Sequence, residues 1–222
     1  MLMPVNKHIK FAVFAVDVAL FRIHGGTLEV LLGDVSSPHF KGMRGLIGGL
    51  INPNETGEGA VSRLLKMKAG ISSVYLEQLQ TFSEIDRDPK GRVVSTAYIA
   101  LTYGDPRRGR GEANTKWVSV SDVGKLAYDH NHVLKIATER LRAKLGYTNI
   151  ARSLLPTSFT LTELQKTYEE VLGKPLDKRN FRRKLLNLKV VVSTGKKTNI
   201  NTRRPAELFK FASNKSQIIE IL

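Results

Sequence analysis

Between Lys174 and Arg204 the chain carries eleven Lys or Arg residues against a single acid, Asp177, which places two thirds of the molecule's net charge of +15 in one short segment. Such clustering attracts phosphate polymers or anionic surfaces. Its residue types are those that read nucleic acid. Arginine can form two hydrogen bonds to guanine, asparagine can do so to adenine, and either can hold a phosphate. On a helix advancing ~100° per residue, Phe181, Leu185 and Leu188 fall together and are expected to anchor it to a core. Arg179 and Arg183 fall opposite, flanked by Asn180 and Arg182, a face suited to a major groove. Lys178 lies nearer the apolar stripe and is expected to meet phosphate or solvent. Lys196, Lys197, Arg203 and Arg204 follow in a polar stretch and are expected at the tip of a hairpin, where a backbone or minor-groove contact belongs. The plain alternative for this run is a solvated basic face.

A second constellation concerns phosphate chemistry. Gly49, five residues, Glu55, seven residues, Arg63 and then Gly70-Ile71 reproduce the frame of a Nudix box. In that loop-helix-loop motif, glutamates after the arginine share one helix face, hold a divalent metal and activate water against a diphosphate. Here their positions read Leu64, Met67 and Lys68. Two apolar groups and a cation cannot hold a metal, so no catalytic residue, metal or cofactor is expected. Glu55 and Arg63 are expected to persist as an ion pair between loop and helix. Lys68 suggests a converse role, a fixed positive charge holding a ligand diphosphate directly. Arg87-Asp88-Pro89-Lys90-Gly91-Arg92 is a further polar loop whose arginines are candidates for phosphate or ribose, a plain hairpin being the alternative. The candidate ligand residues are Arg44, Glu55, Arg63, Lys68, Arg87 and Arg92.

The elements that must position these groups follow from apolar patterning. Strands are expected over Ile9 to Val18, Thr27 to Leu32, the Gly-rich Lys41 to Leu50, and Val93 to Tyr103, with Trp117 and Val118 returning to the core. Glu58 to Ala69 has helical spacing, with Ala60, Val61, Leu64, Leu65 and Met67 as its apolar set and Gly70 as its stop. Asp129 is expected to cap a helix ending at Leu145-Gly146, with Leu134, Ala137, Leu141 and Leu145 on one stripe. That stripe could pack on the first domain or form a dimer seam. Thr160-x-x-Glu163 is a capping box opening a helix to Leu172, and Asp177 opens another to about Leu188. Val190 to Val192 and Ala206 to Phe211 are expected strands around a basic loop. Helix, tight turn, helix and basic hairpin is the order of a winged helix.

The 222 residues, with 41% hydrophobic and 25% charged, suit one large or two modest globular domains, and there is no cysteine. No apolar run approaches the ~18 residues that span a bilayer. The run from Phe11 to Phe21 is interrupted by Asp17 and reads as a buried strand. No membrane partner is expected, and a cytoplasmic, nucleoid-associated protein fits.

The stretches Asp129-His130 through Tyr147-Thr148, Leu154-Leu155-Pro156, Phe159 to Gln165 and Leu176 to Lys184, with Arg87-Asp88-Pro89 and Arg204-Pro205-Ala206, resemble the Nudix-related transcriptional regulators of NAD metabolism. The resemblance implies an α+β fold, a Nudix-like mixed-sheet α/β/α sandwich over residues 1–148 followed by a winged helix-turn-helix over 149–222. It implies a homodimer on a palindromic double-stranded DNA operator before NAD-biosynthetic or salvage genes, released by ADP-ribose or a related nucleotide. A Nudix phosphohydrolase and a sugar-sensing regulator of the same architecture are the alternatives.

Overall fold

A computed structural model describes residues 12–72, 74–105, 114–198 and 205–222. Strand β1 (Val13–His24) lies inside a six-stranded sheet because both of its faces are apolar. Val16, Val18 and Leu20 on one side and Ala19 and Phe21 on the other are fully buried. It pairs parallel with β5 (Val93–Leu101) and antiparallel with β2 (Thr27–Asp34) and β3 (Arg44–Leu50). The edges are β4 (Tyr75–Phe82) against β5 and β6 (Thr115–Ser119) against β2, giving the order β4-β5-β1-β3-β2-β6.

Helix α1 (Gly57–Ala69) covers one face through Ala60, Val61, Leu64 and Leu65, which pack with Val16, Val18 and Leu20. Helix α2 (His130–Tyr147) covers the other through Leu134, Ala137, Leu141 and Leu145, which pack with Ala19 and Phe21. The expected sandwich is therefore present, and the α2 stripe is buried within the chain rather than left for a dimer seam.

The C-terminal part follows the expected order. Helix α3 (Leu161–Leu172) opens on a complete capping box between Thr160 and Glu163 and stops at Gly173. Helix α4 (Lys178–Asn187) is capped by the Asp177 carboxylate, which accepts the Asn180 N–H at 2.7 Å. Strands β7 (Val191–Lys197) and β8 (Glu207–Phe211) form the wing. Phe159 exchanges two backbone hydrogen bonds with Phe209, at 2.9 and 2.7 Å, and ties the wing to the start of α3.

Five expectations change. Strand β1 runs on to His24, well past Val18, because its apolar run is buried on both faces; residues 9–11 lie outside the described set. Met67 is 58% exposed, at the edge of the α1 stripe. Helix α2 continues through Gly146 to Tyr147 because the C-terminal tail covers its end. The N–H groups of Ile221 and Leu222 bond to Gly146 O, and that of Ile219 to Tyr147 O. Leu188 is exposed, and Val190 and Val191 close the core below α4 in its place. Lys196 and Lys197 belong to β7, the stem of the wing and not its tip, while Arg203 and Arg204 lie outside the described residues. Among the described residues no helix is long and apolar enough to cross a membrane.

Candidate ligand pocket and nucleic-acid interface

The Gly-rich strand β3 is shaped by two side chains that press against it. A β-carbon on Gly48 would stand 2.3 Å from Asp17 Oδ1, and one on Gly45 would stand 2.6 Å from His130 Nδ1. Glycine lets both polar groups enter the sheet layer. Asp17 and His130 meet there, with His130 Nε2 lying 3.2 Å from Asp17 Oδ1. His130 Nδ1 accepts the backbone N–H of Leu46 at 2.9 Å, so the ring proton sits on Nε2 and is donated to the carboxylate. Ser95 donates to Asp17 Oδ2 at 2.7 Å, and Arg87 Nη2 reaches the same oxygen at 3.0 Å. Burial alone would push the Asp17 carboxyl up. His130, Ser95 and Arg87 outweigh it and hold the group well below the usual carboxylate range.

Above this cluster opens a cavity of about 680 Å³, within the range of small-molecule and cofactor sites. Asp17, Arg87, Tyr128 and His130 form part of its wall, and Lys68, Lys90 and Arg92 bring further cations. Lys68 Nζ donates to Gly48 O at 2.6 Å, which holds its charge over β3. Arg92 donates to Ser83 O at 2.8 Å and Glu84 O at 3.1 Å, fastening the loop that carries Arg87.

The other sequence candidates sit elsewhere. Arg44 is not a lining residue, but it pairs at 3.3 Å with Asp34, which is. Glu55 and Arg63 form the expected ion pair, with Nε to Oε2 at 2.9 Å and Nη2 to Oε1 at 2.5 Å, while Nη2 also donates to Leu50 O. The Arg63 bonds and the Asn52 N–H lower the Glu55 carboxyl to about 2. This pair fastens the loop to α1 and does not line the cavity. Sequence reading missed Asp17, Tyr128 and His130. The lone acid in the apolar run of β1 was the available signal for the first.

In the C-terminal part, Arg179, Asn180 and Arg183 are exposed together on α4, and Arg183 Nη2 donates to Asn180 Oδ1 at 2.9 Å. Arg182 is half-buried and turned toward α3, where its Nη2 donates to Thr162 Oγ1 at 2.9 Å. The turn between α3 and α4 is braced by Glu169, whose Oε1 accepts from Leu176 N at 3.0 Å and Gln165 Nε2 at 2.9 Å. The arrangement presents a cationic helix beside a two-stranded wing, the geometry of major-groove readers.

Residues 13–139 match the NUDIX domain, and residues 151–211 match the NrtR DNA-binding winged helix domain. Over 203 residues, 89% of this chain and 81% of the relative, the sequence is 36% identical to the ADPR-responsive transcriptional repressor NtrR of Acinetobacter baylyi. The chain belongs to the NrtR family. The structure of Shewanella oneidensis NrtR complexed with a 27mer DNA superposes with a TM-score of 0.79 at 34% identity, covering 89% of this chain and 93% of that one. The NUDIX domain of the same NrtR, solved with ADP ribose, aligns at 32% identity and a TM-score of 0.54, covering 63% of this chain and 94% of that one. The cavity residues of this NrtR-family chain lie within the NUDIX match, and the cationic helix lies within the winged-helix match.

Proposed function

We propose that this chain is an ADP-ribose-responsive transcriptional repressor that binds a palindromic operator as a homodimer and controls genes of NAD biosynthesis or salvage. The observation that carries the reading is the pairing, in one chain, of a cation-lined cavity of about 680 Å³ with an exposed Arg179-Asn180-Arg183 face on a helix-turn-helix. The 36% identity to an ADPR-responsive repressor over most of the chain supports it. Arg179, Asn180 and Arg183 read base edges. Lys178, Lys196, Lys197, Arg203 and Arg204 hold the sugar-phosphate backbone, while Arg182, bonded to Thr162, braces α4 against α3. Residues 1–148 form the effector domain and 149–222 the DNA-binding domain.

In the cavity, Lys68, Lys90 and Arg92 face the diphosphate of the effector, and Arg87 acts from beneath. Arg44, Glu55 and Arg63 shape the neighbouring loops. The domain binds its nucleotide without hydrolysing it. Leu64 is buried against β3, Met67 points to solvent and Lys68 donates to Gly48 O, so the α1 positions that carry glutamates in a Nudix box supply no carboxylate for a metal.

Mapping the genomic fragments bound by the purified protein tests this reading. Fragments upstream of NAD-biosynthetic or salvage genes should be recovered without ADP-ribose and lost in its presence. Recovery of the same fragments in both conditions, or of none, would overturn it.

A further inference from the structure

Helix α2 begins in the wall of the cavity. Asp129 occupies its N-cap position, yet its carboxylate makes no capping bond. It accepts instead from Arg87, Nε to Oδ2 at 3.0 Å and Nη2 to Oδ1 at 2.8 Å. The preceding Tyr128 has φ of 55°, a left-handed conformation unfavourable for a bulky residue, and its ring lies 4.4 Å from that of Phe40 and 5.2 Å from that of His130. Tyr128, His130, Arg87 and Asp17 all line the cavity. The first turn of α2 is therefore held by a cavity residue, in place of the side-chain cap its sequence provides.

The far end of the same helix grips the DNA-reading unit. Arg142 Nε donates to Val171 O in α3 at 2.9 Å, and Leu141 and Leu145 share one buried cluster with Tyr168 and Val171. One residue away, Glu170 Oε1 accepts the backbone N–H of Leu28 in β2 at 2.8 Å. Helix α3, which carries the turn into α4, is thus bonded to α2 and to the sheet. From Asp129 to Arg142, α2 connects cavity and reading unit across about 20 Å.

We propose that the Arg87–Asp129 pair is the switch through which the cavity controls the DNA-reading helix. A phosphate group in the cavity competes with Asp129 for the Arg87 guanidinium, whose fork suits phosphate as well as carboxylate. The N–H groups of His130 and His132 already bond to Ala127 O and Asp129 O, so the freed Asp129 carboxylate turns to the N–H of Asn131, the second residue of α2, and caps the helix there. Two alternative bonded arrangements of one carboxylate make a two-state element that ligand can bias. The re-seated helix shifts α3 through Arg142 and Glu170. This inference rests on the reading of the cavity as the effector site.

The test uses Asp129→Ser in the full chain, because serine caps a helix but cannot pair with Arg87. Operator affinity is measured by fluorescence anisotropy with and without saturating ADP-ribose, and ADP-ribose binding by calorimetry. The wild type should lose about tenfold or more in operator affinity on adding ADP-ribose, and the variant less than about threefold, while it still binds ADP-ribose as tightly as the wild type or more so. A wild-type response in the variant overturns the proposal, as does a lost response that accompanies lost ADP-ribose binding. Glu170→Ala, at the output end, should show the same loss of response with binding retained, and it carries the test if Asp129→Ser does not fold. A wild-type protein that binds operator and ignores ADP-ribose would defeat the effector reading itself, before any variant is made.

Discussion

His130 donates its Nε2–H to the Asp17 carboxylate at 3.2 Å while its Nδ1 accepts from Leu46 N, locking one imidazole tautomer at the base of the cavity. The carboxylate is the hub of that arrangement, since Arg87 and Ser95 also bond to it. Removing one member of a buried ion pair leaves its partner uncompensated. Asp17→Asn should therefore lower the stability by about 3 kcal/mol, toward the low end for such a loss because Asp129 still faces Arg87. Gly48→Ala should act in the same direction by forcing a methyl against Asp17 and the Val16 carbonyl. Urea unfolding checks both, and wild-type midpoints would contradict the tight fit described.

The loop-to-helix pair makes a prediction about acid. The Glu55 carboxyl is lowered from 4.5 to about 2 by its bonds from Arg63 and the Asn52 N–H. The folded state therefore binds fewer protons there than the unfolded chain. Its contribution is fully present above pH 4.5 and is lost as the pH falls toward about 2. Solvent screens the pair, so the effect is small. Glu55→Gln should flatten the acid limb of a stability profile in that window and leave the slope near neutrality unchanged.

Tyr168 is fully buried where α3 meets α2, and its hydroxyl has no hydrogen-bond partner among the described residues. Its ring packs on Phe181, with centroids 4.9 Å apart, which phenylalanine would preserve. An unsatisfied buried hydroxyl is destabilising, so Tyr168→Phe should raise stability by about 1 kcal/mol. A drop in the thermal midpoint would mean that the hydroxyl is bonded after all.

The sequence reading succeeded where local chemistry decides structure. The Thr160–Glu163 capping box, the Asp177 cap and the stops at Gly70 and Gly173 appear as expected, because each depends on residues within a few positions. Strand β4 escaped notice because a bulge at Gln78–Gln80 breaks its alternation, turning Leu79 and Phe82 to the core from positions three apart. Asp129 was read correctly as an N-cap by position, but its carboxylate is drawn to Arg87, 42 residues away, and no local rule contains that partner. The cavity was legible only in part for the same reason. Arg87, Lys90 and Arg92 stand in one polar loop and Lys68 on α1, whereas Asp17 and His130 meet only when β1 and α2 pack across the sheet. Arg182 looked like its neighbours on α4 until α3 supplied Thr162.

The α4 face and the wing predict two kinds of binding defect. Arg183→Ala should weaken operator binding and, through loss of the base contact proposed for it, remove about 1 to 3 kcal/mol of discrimination against single base changes. Lys196→Ala should weaken binding equally on all sequences and reduce the salt slope by about 1. Competition with substituted operators at several salt concentrations separates the two, and equal affinity of wild type and Arg183→Ala would place that arginine outside the interface.

The most direct test of a repressor governed by a nucleotide it does not cleave is operator binding followed by anisotropy during an ADP-ribose titration in excess EDTA, with the nucleotide recovered and analysed afterwards. The expected result is release of DNA without added metal and full recovery of intact ADP-ribose, in a parallel sample with magnesium as well. DNA that stays bound throughout, or release that requires magnesium and accompanies cleavage, would contradict it.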